Sequence, residues 1–121
     1  MLSEVKKAGS AIEFETAERC HIIEIDNDPG DAQVSIARAR VEPGVTTAWH
    51  RLNGISERYI IISGRGLVEV DDIDPTSVTA GDVVRIATGK AQRITNTGTD
   101  ELIFYAVCAP AFKQASYVSL E

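Results

Sequence analysis

Hydrophobic and polar positions alternate with a period of two along much of the chain. In ERYIIIS (57–63), Glu57, Tyr59 and Ile61 fall on one face; in QRITN (92–96), Gln92, Ile94 and Asn96 do the same. Nine segments carry this strand character: 12–15, 20–25, 32–41, 57–63, 66–70, 77–80, 83–87, 92–96 and 101–108. Between them lie NDPGD, EPG, LNG, SGRG, DDIDP, AGD, TGK and NTGTD, whose Gly, Pro, Asn and Asp residues supply the dihedrals of turns. No segment sustains a helical period. The pattern allows one short helix near the N-terminus or at APAFKQA. Many short strands at regular spacing predict an all-β sandwich or barrel.

The faces carry further detail. Over Val34–Val41, one face holds Val34, Ile36, Arg38 and Arg40, the other Ser35, Ala37, Ala39 and Val41. The small-residue face suits close approach of another strand or a sheet corner. Arg38 and Arg40 are either solvated or aimed at an anion. If the faces of Glu57 and Gln92 point into one barrel, both are polar groups among apolar neighbours and need partners.

The chain has 121 residues, which fits one domain over 1–121. Twelve Lys+Arg against eighteen Asp+Glu give a net charge of −6. That balance opposes binding to nucleic acid or to an anionic membrane, both of which select basic surfaces. No apolar run reaches the roughly 20 residues of a membrane span, and MLSEVKKAGSAIEF has no apolar stretch like that of a signal peptide. Cys20 and Cys108 are the only cysteines and lack CxxC partners, so a reducing cytoplasm and two free thiols are expected. There is no Gly-rich phosphate loop and no dinucleotide motif.

Two motifs organise the middle of the chain. Gly44-VTTAW-His50-R-Leu52-NGIS-Glu57-RYIIIS-Gly64 resembles the first cupin motif. Gly81-DVVRI-Ala87-T-Gly89-KA-Gln92-RIT-Asn96 resembles the second. The resemblance spans motif one (44–64) and motif two (81–96). It implies a double-stranded β-helix, the jelly-roll barrel of small cupins, with a metal site at its mouth. On the residues themselves, Gly44, Gly64, Gly81 and Gly89 stand at sharp turns, where glycine adopts positive φ at least expense.

Carried onto this chain, the resemblance places a metal at His50, Glu57 and Gln92. Leu52 stands where the family has a second His, Gln92 where it has a third, and Ala87 where it has Pro. One imidazole, one carboxylate and one amide make a weak set, suited to Mn²⁺, Fe²⁺, Ni²⁺ or Zn²⁺ with several waters. The alternative is a relic pocket in which His50 pairs with Glu57, or Glu57 pairs with Arg38 or Arg40. A carboxylate left there without metal or cation has a raised pKa.

Other residues add to the picture. Tyr59 shares the Glu57 face and is either a core aromatic or a hydrogen-bonding or acid group. Trp49 walls the mouth or simply packs. His21 beside Cys20 reads as an ordinary strand histidine. Arg38, Arg40, Arg51 and Arg93 are placed near the mouth, and arginine forks match carboxylates and phosphates. Tyr59, Arg38 and Arg40 are therefore the catalytic candidates. The function expected is binding of a divalent metal and a small anionic organic molecule, with dioxygenase, isomerase or lyase chemistry. The alternative is a metal-free binding or sensory cupin. A homodimer is expected, because open sheet edges are a liability unless covered.

Overall fold

Eleven strands form where the alternation and the turn clusters place them, with two additions. They are β1 (Phe14–Glu15), β2 (His21–Asp26), β3 (Ser35–Val41), β4 (His50–Leu52), β5 (Ser56–Ser63), β6 (Arg65–Val70), β7 (Ile73–Thr79), β8 (Val83–Ile86), β9 (Gln92–Asn96), β10 (Leu102–Ala109) and β11 (Tyr117–Ser119). The computed structural model describes residues 1–121, the side chain of Ser10 apart. Six strands make one sheet, in the order β1-β2-β3-β10-β5-β8. Five make the other, in the order β11-β4-β9-β6-β7. All pairings are antiparallel. No described helix is long and apolar enough to cross a membrane.

The inward faces are those the alternation implies. Glu57, Tyr59 and Ile61 on β5 are buried, and so are Gln92, Ile94 and Asn96 on β9. One end of the barrel is filled. Val41, Ile61, Val68, Ile94 and Leu102 pack there with almost no exposure. Asn96 closes this end by donating from Nδ2 to the carbonyls of Val41 and Asp100, at 2.9 and 2.8 Å, while its Oδ1 accepts from Gly98 N–H. The other end is not filled. There β3 presents Ser35, Ala37 and Ala39, and the missing side-chain volume becomes a cavity. The small-residue face thus makes room for a pocket rather than for a closely approaching strand.

Gly44, Gly64, Gly81 and Gly89 all adopt positive φ, as expected. Gly64 is the tightest case. Its φ is +88°, and a Cβ there would stand 2.5 Å from the Glu101 carbonyl oxygen. This lets β5 turn into β6 directly against β10.

One expectation needs correction. DDIDP is not wholly a turn: β7 begins at Ile73 and runs through Asp74 and Pro75. It is tolerated because β7 is the outer strand of its sheet and almost wholly exposed, where proline forfeits no ladder bond. The short helical segment allowed near the N-terminus or at APAFKQA takes the form of two three-residue 3₁₀ turns, Ala8–Ser10 and Gln114–Ser116. The strands β4 and β11 have only three residues each, too short to show alternation; they form because they pair with each other.

Candidate functional site

A cavity of ≈ 130 Å³ lies between the two sheets at the unfilled end of the barrel. Its walls carry His50, Glu57, Tyr59, Glu18 and Glu24 among apolar and aromatic neighbours.

His50 comes from β4, which is held by β11 on one side and β9 on the other: Ser119 stands opposite His50, and His50 opposite Gln92. The imidazole is buried. Its Nδ1 lies 2.8 Å from the Ala48 carbonyl oxygen. A carbonyl only accepts, so Nδ1 carries a proton and Nε2 is the nitrogen left to take or release one. The ring stacks on Tyr117, with centroids 5.0 Å apart and planes at 20°. Nε2 stands 3.7 Å from Glu18 Oε2.

Glu18 is the residue the sequence did not disclose. It sits in the turn between β1 and β2, outside any alternating segment. Thr16 N–H and Oγ1 both donate to the Cys20 carbonyl, and Glu18 N–H donates to Thr16 Oγ1. Arg19 in the same turn has φ +63°, an uncommon conformation for a non-glycine residue. Its guanidinium offsets that strain. It donates to the Thr46 carbonyl and, bidentately, to Glu121, whose carboxylate also accepts from Trp49 N–H. These bonds pull the Glu121 carboxyl down to about 2. The turn, β4 and β11 are thereby tied together beside His50. Burial raises the Glu18 carboxyl above its ordinary value, against the pull of His50.

Glu57 lies on β5 opposite Cys108 of β10. The Cys108 thiol reaches its Oε2 at 3.6 Å. Oε1 has no hydrogen-bond partner, alone among the buried side-chain nitrogen and oxygen atoms of the described residues. Burial pushes this carboxyl above the usual range; the nearby Gln92 amide and His50 ring pull the other way without prevailing. The larger opposing influence is the Gln92 side-chain amide acting as a hydrogen-bonding group, although no bond of normal geometry to Oε1 is formed. Tyr59 also belongs to the buried wall, against Phe104 at 4.5 Å between ring centroids. Its hydroxyl donates to Gln92 Oε1. Burial, then the neighbouring Glu57, holds this phenol well above its ordinary pKa, so it remains a hydroxyl. Cys20 is likewise held as a thiol, pushed up to about 12 chiefly by burial.

The arginines do not join the site. Arg38 and Arg40 point away from the cavity, on the β3 face opposite Ala37 and Ala39. Arg40 pairs with Glu13 and Glu101, and Arg38 approaches Glu13. The reason is the strand period, which sends them outward once the small residues face inward. Arg51 is exposed and bonds Asn53, and Arg93 grips Glu69 and lies over Trp49, 5.1 Å from the ring centroid. Among the described residues, no lysine or arginine lines the cavity. His21 faces Glu42 on the outside, as an ordinary strand histidine.

The metal set fares unevenly. His50 and Glu57 both line the cavity, whereas Gln92 is packed behind its wall with Oε1 already accepting from Tyr59. Position 52 offers a buried leucine packed with Ile55 and Cys108. Among the described residues no three His, Cys, Asp or Glu side chains converge as metal ligands. As arranged, two of the three expected donors face the cavity and the third is engaged with Tyr59.

A family profile described as the cupin domain matches residues 37–108. The oxalate-binding protein of Thermotoga maritima is 35% identical over 71 residues, 59% of this chain and 58% of that protein, so the match spans little more than half of that relative's length. Among solved structures, a variant of the Streptomyces protein Pac13 with uridine superposes with a TM-score of 0.82 at 15% identity, covering 100% of this chain and 93% of that one. Pac13 is described as a nucleoside dehydratase. A predicted oxalate decarboxylase from Thermotoga maritima superposes with a TM-score of 0.78 at 22% identity, covering 88% and 99%. At these identities the structural likenesses speak for the fold alone. The profile match and the two-sheet barrel make the chain a member of the cupin family.

Proposed function

We propose that the barrel cavity binds a small organic molecule and acts on it by acid–base chemistry, with no resident metal. One observation carries this reading: a buried imidazole, fixed through Nδ1 by the Ala48 carbonyl, turns its Nε2 toward Glu18 at the cavity wall. A fixed tautomer with a carboxylate beside its basic nitrogen is suited to take and return a proton. Glu57 adds a second carboxyl in a different environment, and groups held apart in this way divide acid and base roles. Tyr59, with its hydroxyl turned to Gln92, is a wall of the pocket in this reading. The dehydratase described for Pac13 supports acid–base work on such a barrel.

The reading with a divalent ion at His50, Glu57 and Gln92 and a bound carboxylate has the oxalate-binding relative in its favour. It requires Gln92 to release the Tyr59 hydroxyl. Elemental mass spectrometry on untagged protein separates the two. The proposal expects far less than one equivalent of metal, and ligand-induced rises in melting temperature that survive EDTA. Stoichiometric metal, lost in His50→Ala together with ligand binding, would overturn it.

The proposal includes a homodimer. It is supported by Ile60, Ile62 and Val83, exposed on the neighbouring strands β5 and β8, the latter an open edge. Light scattering is expected to give twice the chain mass at micromolar concentration.

A further inference from the structure

The lining of the cavity has a charge character that acid–base chemistry alone does not require. Three carboxyl groups face it, Glu18, Glu24 and Glu57, and among the described residues no lysine or arginine does. The deepest of the three is incomplete. Glu57 is 7% exposed, lines the cavity, and keeps Oε1 without a partner. An unpaired buried carboxyl is unfavourable, and a cation with N–H donors supplies both the charge and the hydrogen bond it lacks. The remaining wall mixes neutral polar groups, Thr16, Ser35, Thr47 and Gln114 among them, with apolar and aromatic side chains. Phe14, Phe112 and Tyr117 stand toward the ligand space with Phe104 and Leu52, and aromatic faces attract cations. The space is small: ≈ 130 Å³ is room for about four waters or one small ring.

Resting on the small-molecule reading above, we infer that the cavity selects a small organic cation, a primary ammonium on a compact apolar body, whose N–H groups bond Glu57 Oε1 and whose charge is shared with Glu18. A dicarboxylate such as oxalate meets three like-charged or acidic groups there and no fixed cation, and is disfavoured.

The test uses the full chain in EDTA and a matched series of probes: benzylammonium, benzyl alcohol and benzoate, with oxalate added. Melting temperature and calorimetric titration are read at neutral pH. Benzylammonium is expected to raise the melting temperature in a concentration-dependent way and to bind at least about 10-fold more tightly than benzyl alcohol, with benzoate and oxalate inert. Glu57→Gln keeps the shape of the side chain and is expected to weaken benzylammonium at least about 10-fold and benzyl alcohol far less, so that the preference for the ammonium is lost. Glu18→Gln, nearer solvent, is expected to weaken it less, and serves if the Glu57 variant folds poorly. Equal binding of the alcohol and the ammonium, or preference for benzoate or oxalate, overturns the cation assignment and leaves the small-molecule reading standing. A flat response to all four probes overturns both.

Discussion

The Tyr59 hydroxyl donates to Gln92 Oε1, and this one bond occupies the oxygen a metal would need from the second motif. It joins the two motifs across the barrel interior and turns a ligand position into part of the wall. Leu52 completes the change by filling the place of a second imidazole with a buried branch. Leu52→His is therefore expected to lower stability by about 2–4 kcal/mol without metal, as the contacts with Ile55 and Cys108 are lost. It is expected to bind Zn²⁺ at least about 10-fold more tightly than the native chain, and adding Tyr59→Phe, which frees the Gln92 oxygen, to tighten binding again. Titration calorimetry with Zn²⁺ decides this. No gain in either variant would mean that an imidazole at position 52 cannot converge on one ion with His50 and Glu57.

A second prediction concerns pH. Burial raises the folded-state pKa of Glu57, and also that of Glu18. In the unfolded chain both titrate near an ordinary ~4.3. Between the two values the folded state holds protons that the unfolded state has released. Stability from these groups is thus fully present below the unfolded pKa and is lost as pH rises through the folded pKa. Urea unfolding at pH about 5 and about 8 is expected to show the chain less stable at the higher value, with a smaller difference in Glu57→Gln. A carbon-detected NMR titration of Glu57 at an ordinary carboxylate pKa would refute the premise.

Much of this was legible in the sequence, for a physical reason. The strand period is two, so Glu57, Tyr59 and Ile61, or Gln92, Ile94 and Asn96, could be assigned to one face before their strands were seen. Burial of polar Glu57 and Gln92 among apolar neighbours then followed from the pattern. The same rule left Arg38 and Arg40 undecided, since a face is known only relative to its partner; the Ser35-Ala37-Ala39 face turned inward and sent the guanidiniums to Glu13 and Glu101. Glu18 was out of reach. It sits in a turn, where position is set by hydrogen bonds to Thr16 and by the Arg19 clamp, neither of which has a period. Tyr117 was missed similarly, because β11 exists only by pairing with β4.

Gly64→Ala tests the tightest corner. The added Cβ meets the Glu101 carbonyl oxygen at 2.5 Å, on backbone already at φ +88°. Neither neighbour is a flexible side chain, so the strand junction must shift. The expected loss is more than about 2 kcal/mol in chemical denaturation, larger than left-handed strain alone. A loss below about 1 kcal/mol would show that β10 yields easily at Glu101.

Arg40 fastens the segment before β1 to the sheet through Glu13, and reaches Glu101 just ahead of β10. These are partly exposed pairs, so Arg40→Ala is expected to lower stability by only about 1 kcal/mol, with the difference shrinking at high salt. Limited proteolysis should cut sooner in residues 1–13. Equal cutting rates in the variant and the native chain would show that Glu13 is held by other contacts.

Asn96 offers the sharpest test of the closed end. Its Nδ2 donates to the carbonyls of Val41 and Asp100, and its Oδ1 accepts from Gly98 N–H. All three bonds are made by a side chain that is 1% exposed. Asn96→Ala leaves those carbonyls unmatched and is expected to lower stability by about 2–4 kcal/mol. Asn96→Asp keeps the acceptor but points a carboxylate oxygen at two carbonyl oxygens. At neutral pH it should be less stable than the alanine variant, and it should recover as acid protonates the carboxyl and restores one donor. The order of the two variants is the informative result. If Asn96→Asp proved the more stable at neutral pH, the two carbonyls would not depend on the amide for their hydrogen bonds, and the acceptor toward Gly98 would be what closes this end. Ligand binding at the opposite end of the barrel should be unchanged in whichever variant folds, since Asn96 does not line the cavity.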